Sequence, residues 1–404
     1  MRGTAHPASL RHTATASVLA AGMFLLSACT GAAEGKEARQ GPSPTPSPSP
    51  TVSASVTAPA KDADDVLTST EVEVASDGTV DAVKAESSGG KTVQADPHPD
   101  GGSWIFRKQL EYATEYTVTA TATKGDATRD VTSTFTTMSR PGAINGASPY
   151  VFDGDTVGVG MPIVVELTSN IPKAKRAALE RRFFVESTPA VEGSWHWWSD
   201  REVHFRPQTY WKPGTKVSFR LAIGGMDMGH GAYGKRDRAA SFTIGDHVVT
   251  KVDAAAHVAR VYRNGVLLRT MPVSAGKASM PSSSGTHVVM DKKPEMTFDS
   301  GTFGVPATSA GGYRQKVQWD VRYTWRGEFF HSAPWSVGDQ GRRNVSHGCV
   351  NLGPANARWF YDLATKGDLV EIVNTGRTVQ AGNGWTDWNV PWTKYVKGSA
   401  LYKG

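Results

Sequence analysis

The chain has 404 residues, with 44 Lys+Arg against 38 Asp+Glu for a formal net charge of +6, and two cysteines. At roughly 100–200 residues per domain this length suggests two or three domains. The 39% hydrophobic content and 12 Trp exclude a wholly disordered chain, and two cysteines exclude a disulfide-rich scaffold or a four-thiolate zinc site.

Arg2 and Arg11 precede an apolar stretch from Ala16 to Ala28, too short to span a membrane. A basic start, a short apolar run and small residues at its end describe an export signal over residues 1–28. Leu26-Ser27-Ala28-Cys29 resembles the lipobox of bacterial lipoproteins, in which the Cys thiol receives a diacylglyceryl group. Lipidation of Cys29 would anchor the chain stably. The mature chain would then keep one free thiol and form no internal disulfide. Residues 29–63 contain Pro42-Ser43-Pro44-Thr45-Pro46-Ser47-Pro48, which favours extended polyproline II and reads as a spacer.

Residues 64–246 read as all-β. Tyr116, Val118 and Ala120 alternate with Thr, a period of two. Trp104-Ile105-Phe106-Arg107 and, about 100 residues on, Val203-His204-Phe205-Arg206 open similar successions of strands. A repeat of that length suggests tandem Ig-like sandwiches at 64–140 and 141–246, neither of which contains a Cys. In the second, the Trp residues of Trp195-His196-Trp197-Trp198 read as core. The run Gly224-Gly225-Met226-Asp227-Met228-Gly229-His230-Gly231 reads as a mobile surface loop. Gly158-Val159-Gly160 lacks the context of a nucleotide fingerprint. Residues 61–140 carry 8 basic and 14 acidic residues, and residues 247–374 carry 15 basic and 10 acidic. That basic excess is too small to argue nucleic-acid binding.

The chemistry concentrates in residues 329–352. His331 lies 18 residues before Cys349, and His347 lies two residues before it. A thiol reacts as thiolate, and a neighbouring imidazole can take its proton. Gly348 removes a side chain beside the sulfur and relaxes φ there, leaving backbone N–H groups to serve an oxyanion. A buried inert Cys beside core histidines remains an alternative on residue types alone. Zinc held by His331, His347 and Cys349 lacks the usual ligand spacing.

His331, fourteen residues, then Ser346-His347-Gly348-Cys349-Val350-Asn351 is similar to the signature of L,D-transpeptidases with the YkuD-type catalytic domain. Asp299-Ser300-Gly301-Thr302-Phe303-Gly304-Val305-Pro306, Gly312-Tyr313-Arg314 and Gly367-Asp368-Leu369-Val370-Glu371 extend the resemblance. The whole chain resembles the actinobacterial lipoprotein members. The implied fold is mainly β: two Ig-like β-sandwiches, a β-rich catalytic domain at 247–374, and a Trp-rich C-terminal extension at 375–404 packing on that domain.

The resemblance implies that Cys349 is the nucleophile, His331 the proton donor and acceptor, and the Ser332 carbonyl the group orienting the imidazole. His347 and Gly348 would shape the pocket, with an N–H of His347, Gly348 or Cys349 near the oxyanion. Tyr313 would lie on a lid over the site. Arg326, Gly327 and Asn351 would contact substrate, while Trp335 and Trp359 read as core. No metal or other cofactor is implied. The implied partners are peptidoglycan stem peptides: a tetrapeptide donor, and an acceptor supplying a diamino-acid amine. Carbapenems are the implied covalent inhibitors. The implied location is the outer face of the cytoplasmic membrane, reaching into the cell wall. Two other readings stand beside this one: an L,D-carboxypeptidase trimming the same stems, and a non-catalytic, surface-anchored Ig-like binding protein.

Overall fold

Alternation builds the first domain. In strand Glu115–Lys124, Tyr116, Val118, Ala120 and Ala122 are buried while the intervening residues are not. This strand belongs to a ladder of eight in the order Ala54–Ala58, Glu71–Ser76, Trp104–Phe106, Thr92–Pro97, Thr79–Ser87, Glu115–Lys124, Ala127–Thr137 and Ala63–Val66. The ladder closes on Val72, Val83, Ala85, Phe106, Leu110, Tyr116 and Phe135. The computed structural model describes residues 51–303, 305–309 and 312–404. The expected signal, Cys29 and the Pro-rich run up to residue 50 lie outside the described residues. The first domain starts earlier than the expected residue 64. Val52, Val56 and Val74 pack into it, and strand Ala54–Ala58 pairs with Glu71–Ser76. Residues 52–58 alternate as strands do, although they follow directly on the spacer composition.

The second domain has two four-stranded sheets. One runs Ala147–Pro149, Ile163–Leu167, Glu202–Pro207, Gly193–Trp197; the other runs Thr156–Val157, Arg238–Ile244, Lys216–Leu221, Phe183–Thr188. Two local expectations fail here. Helix Lys173–Glu180 interrupts the all-β reading, because Ala, Lys, Arg, Leu and Glu after Pro172 favour a helix. Most of the Gly-rich run is not a surface loop: Gly224 to Met226, Met228 and Gly229 are buried, and only its end, His230 and Gly231, is exposed. A Cβ on Gly225, whose φ is +77°, would meet Thr68 of the first domain at 1.8 Å. The glycines are there for close approach between the two sandwiches. Trp195 and Trp197 are core, as expected.

The third domain pairs a five-stranded sheet (Val266–Pro272, Val258–Arg263, Val248–Asp253, Leu369–Val373, Gly285–Val288) with a four-stranded one (Asp291–Asp299, Arg314–Arg322, Phe329–Ser332, Val350–Leu352). Helix Pro354–Leu363 packs on the four-stranded sheet. Their core holds Val252, Val261, Tyr323, Phe330, Val350, Leu352 and Phe360. A second apolar core is continuous across the domain boundary. Val249, Val288, Met290, Leu369 and Trp385 join Val159, Met161, Trp211 and Leu221 of the second sandwich. Gly158 and Gly160 lie in this seam, where a Cβ would sit 2.3 Å from the Asp368 amide nitrogen and 2.5 Å from the Leu369 side chain.

The extension reaches beyond the catalytic domain expected to hold it. Asn389 bonds Thr286 there. On the second sandwich, Trp388 donates to the Gly160 carbonyl at 2.8 Å, and Ser399 and Ala400 bond Glu180. Asp387 lies against His204, and the Arg206 guanidinium sits over Trp388, Trp392 and Tyr395. Among the described residues no helix is long and apolar enough to cross a membrane.

Candidate active site

Parallel pairing sets Phe330 beside Val350, His331 beside Asn351 and Ser332 beside Leu352. Phe330, Val350 and Leu352 point into the core under helix Pro354–Leu363. Side chains alternate across a strand. His331, Asn351 and, one step before Val350, Cys349 therefore share the opposite face. Two segments 18 residues apart thus meet by register, as the sequence spacing allows.

His331 is buried, and its Nδ1 donates to the Ser332 carbonyl at 3.0 Å, which leaves Nε2 as the basic nitrogen. Burial pushes its pKa down to about 4, the carbonyl opposing only in part. Cys349 is the free cysteine of the described residues. Burial pushes its thiol up to about 12, with Glu328 and Asp320 adding to the shift and the Phe329 amide opposing it. The resting pair is therefore neutral thiol and neutral imidazole, not a preformed ion pair. The thiol rests on the Gly327 carbonyl at 3.7 Å.

Gly348 has φ +128°, a conformation that a side chain would strain. Its carbonyl accepts from Ser282 Oγ at 2.7 Å, and its N–H donates to Ser346 Oγ at 3.1 Å. Of the three amides expected near an oxyanion, that of Gly348 is thus occupied. The amides of His347 and Cys349 make no backbone hydrogen bond among the described residues. Beneath Gly348, buried Glu328 bonds Ser283 and pairs with Arg377. Burial raises the Glu328 pKa, and Arg377 and Ser283 hold it back.

Tyr313 stands beside His347 with ring centres 5.3 Å apart. Burial, then Cys349 and Asp299, push its pKa up to about 12, so its phenol stays protonated. His347 is exposed and lies 3.0 Å from Lys277 Nζ; burial and that cation lower its pKa. Asn351 is buried, and its side chain donates to Ser336 Oγ at 3.0 Å. Arg326 and Gly327 form the turn into strand Phe329–Ser332: the Arg326 amide bonds Asn383, its side chain is exposed, and Gly327 takes φ +89°. Trp335 is not core. It is 54% exposed and stacks 6.0 Å from the His331 ring. Trp359 packs partly buried against the catalytic core and under the Arg269 guanidinium.

The structure thus brings Cys349, His331 and Asn351 to one sheet face, with the Ser332 carbonyl on the His331 ring, Gly348, His347 and Tyr313 beside that face and Gly327 against the sulfur. Sequence reasoning missed Lys277, Ser282, Glu328 and Arg377, which no local pattern marks. Among the described residues no group of three or more His, Cys, Asp or Glu is arranged to hold a metal ion.

A thiol and an imidazole sharing one face of a β-sheet, with amide donors beside them, are groups that acyl transfer through sulfur requires. The model of the bacterial Ig domain matches residues 63–227, and that of the L,D-transpeptidase catalytic domain matches residues 247–372. The chain is 42% identical over 331 residues to L,D-transpeptidase 2 of Mycobacterium tuberculosis, covering 81% of this chain and 79% of that protein. It is 34% identical over 356 residues to L,D-transpeptidase 5 of the same species, covering 85% and 76%. A solved L,D-transpeptidase, LdtMt1 in complex with imipenem, is 38% identical, covers 57% of this chain and 100% of that one, and has a TM-score of 0.49. The chain belongs to the L,D-transpeptidase family. It is an enzyme of that family, with a bacterial Ig region preceding the catalytic domain.

Proposed function

We propose that this L,D-transpeptidase forms 3→3 cross-links between peptidoglycan stem peptides through a thioester on Cys349. The observation that carries the reading is the shared sheet face of Cys349 and His331, with the basic nitrogen of His331 left available. Because the resting pair is neutral, proton transfer accompanies attack. Cys349 Sγ adds to the carbonyl of the third, diamino-acid residue of a donor tetrapeptide as its proton passes to His331 Nε2. The amides of His347 and Cys349 and the protonated Tyr313 phenol are the donors placed to hold the oxyanion. Collapse breaks the peptide bond, His331 returns the proton to the leaving amine, and D-Ala departs. An amine of a neighbouring stem then attacks the thioester and gives its proton to His331. The new amide forms, and the thiol is restored with that proton.

Asn351 and Arg326 contact substrate in this reading, and Gly327 holds the resting thiol by its carbonyl. The thiol would also open a carbapenem ring and remain acylated. The export signal and the lipobox ending at Cys29 support a lipoprotein on the outer face of the cytoplasmic membrane. The spacer and Ig-like domains would set the reach of the enzyme into the wall.

The test is a muropeptide assay with a purified tetrapeptide donor and the full chain. Cross-linked dimer with released D-Ala is expected. Tripeptide alone, with no dimer, would make the enzyme an L,D-carboxypeptidase.

A further inference from the structure

The loop Ser346-His347-Gly348-Cys349 is held by a single segment, 275–282. The Ser346 N–H donates to the Ala275 carbonyl at 3.1 Å, and the Ser346 carbonyl accepts from the Lys277 N–H at 2.9 Å. Further along, Ser282 Oγ accepts from the Gly276 N–H at 3.0 Å and donates to the Gly348 carbonyl at 2.7 Å. The Tyr323 hydroxyl lies 3.4 Å from the same carbonyl. Ser282 and Tyr323 are both fully buried.

A trans peptide is planar, so its carbonyl and its N–H point in opposite directions. The Gly348–Cys349 peptide is trans. Its carbonyl is turned inward onto Ser282 and Tyr323, so the Cys349 N–H is turned away from them. The reverse orientation is sterically open, because Gly348 has no Cβ to restrict its backbone. Ser282 works against that reversal, which would cost a buried hydroxyl its acceptor.

We propose that Ser282 is a positioning residue for acyl transfer: by holding the Gly348 carbonyl it keeps the Cys349 N–H aimed at the oxyanion. The proposal rests on the reading of Cys349 as the nucleophile. As Sγ bonds to the substrate carbonyl carbon, the π electron pair moves onto oxygen and the thiol proton passes to His331 Nε2. That oxygen needs a donor, and a reversed peptide would present it with a carbonyl. Ser282 acts through this peptide and takes no part in the bond changes. Ser346 does not replace it, because the Ser346 hydroxyl already accepts from the Gly348 N–H at 3.1 Å and donates to the Cys349 carbonyl at 2.6 Å.

Two reactions of the same thiol separate this role from a merely structural one. A carbapenem acylates Cys349 through an oxyanion. Iodoacetamide alkylates it by displacement of iodide from a methylene carbon and forms no oxyanion. Both rates are followed by intact mass on the full chain, for the wild type, Ser282→Ala and Ser282→Thr, with thermal melting to confirm that each is folded. Ser282→Ala is expected to slow acylation by about 10–10²-fold, somewhat less than outright loss of an oxyanion donor, and to leave alkylation within about twofold of the wild type. Ser282→Thr keeps the hydroxyl and should recover most of the acylation rate. If Ser282→Ala does not fold, Tyr323→Phe removes the second group on the same carbonyl and is read in the same way, with a smaller loss. Equal losses in the two reactions, no loss in either, or a folded Ser282→Thr no faster than Ser282→Ala overturn the proposal and leave the nucleophile reading intact. A wild type that is alkylated but forms no carbapenem adduct overturns that reading, and this proposal with it.

Discussion

His331 and His204 are both buried histidines, and they are in opposite charge states. His331 faces one carbonyl, and burial leaves it neutral with a pKa of about 4. Burial also pulls His204 down, but Asp387 at 3.0 Å and Glu202 at 2.8 Å outweigh it and raise the pKa to about 9. Asp387 is completed by Trp198 and Tyr395, each at 3.0 Å. The first histidine is arranged to gain a proton only when chemistry supplies one. The second keeps its proton and fixes the extension to the second sandwich. Burial alone does not decide the role of a histidine; the number of carboxylates in contact with it does.

The largest effect that sharpens this contrast is on the catalytic side. His331→Ala removes the base, and carbapenem acylation should fall by about 10²–10⁴-fold in a chain that still melts cooperatively. Acylation near the wild-type rate would pass that role to His347 or solvent.

On the structural side, Asp387→Ala leaves the His204 charge without its best partner. It should destabilise the chain by about 3–5 kcal/mol, read by denaturant unfolding, while folded molecules still acylate. Unchanged stability would mean that the extension is not held by this pair.

The two histidines also predict opposite dependences on pH. The folded pKa of His204 is raised above 6.5, so its contribution is present below 6.5 and is lost as pH rises through about 9. The folded pKa of His331 is depressed, so its contribution is present above 6.5 and is lost as pH falls toward about 4. Each amounts to a few kcal/mol at most. Melting curves should fall at both ends, and Asp387→Asn should flatten the alkaline fall and also remove the acid-side contribution of the Asp387 carboxylate itself, whose pKa, despite burial, is lowered by His204. An unchanged alkaline fall in that variant contradicts the assignment.

The smallest effect concerns His347. Lys277→Met removes the cation that helps lower its pKa, so the imidazole proton resonances should titrate at higher pH, with acylation changed less than tenfold. An unmoved titration would mean that burial alone sets this histidine.

Much of the catalytic face was legible because short-range spacing and strand alternation suffice for it. Ser346-His347-Gly348-Cys349 is contiguous, and His331 needed only one neighbouring strand. The rest is written in long-range pairing. His204 and Asp387 lie 183 residues apart, and Arg377 reaches Glu328 across 49. The first part of the Gly-rich run at 224–231 misled because glycine marks mobile loops and close approaches alike, and only the neighbouring sandwich tells them apart. Trp335 misled for a related reason: its size suggests core, but it stacks on His331 from the solvent side.

In the proposed reaction everything passes through the Cys349 thiol as nucleophile. Intact-mass measurement after incubating the full chain with a carbapenem, followed by peptide mapping, tests it most directly. One adduct, on Cys349, is expected in the wild type and none in Cys349→Ala. No adduct on the wild type, or an equal adduct on the variant, would contradict it.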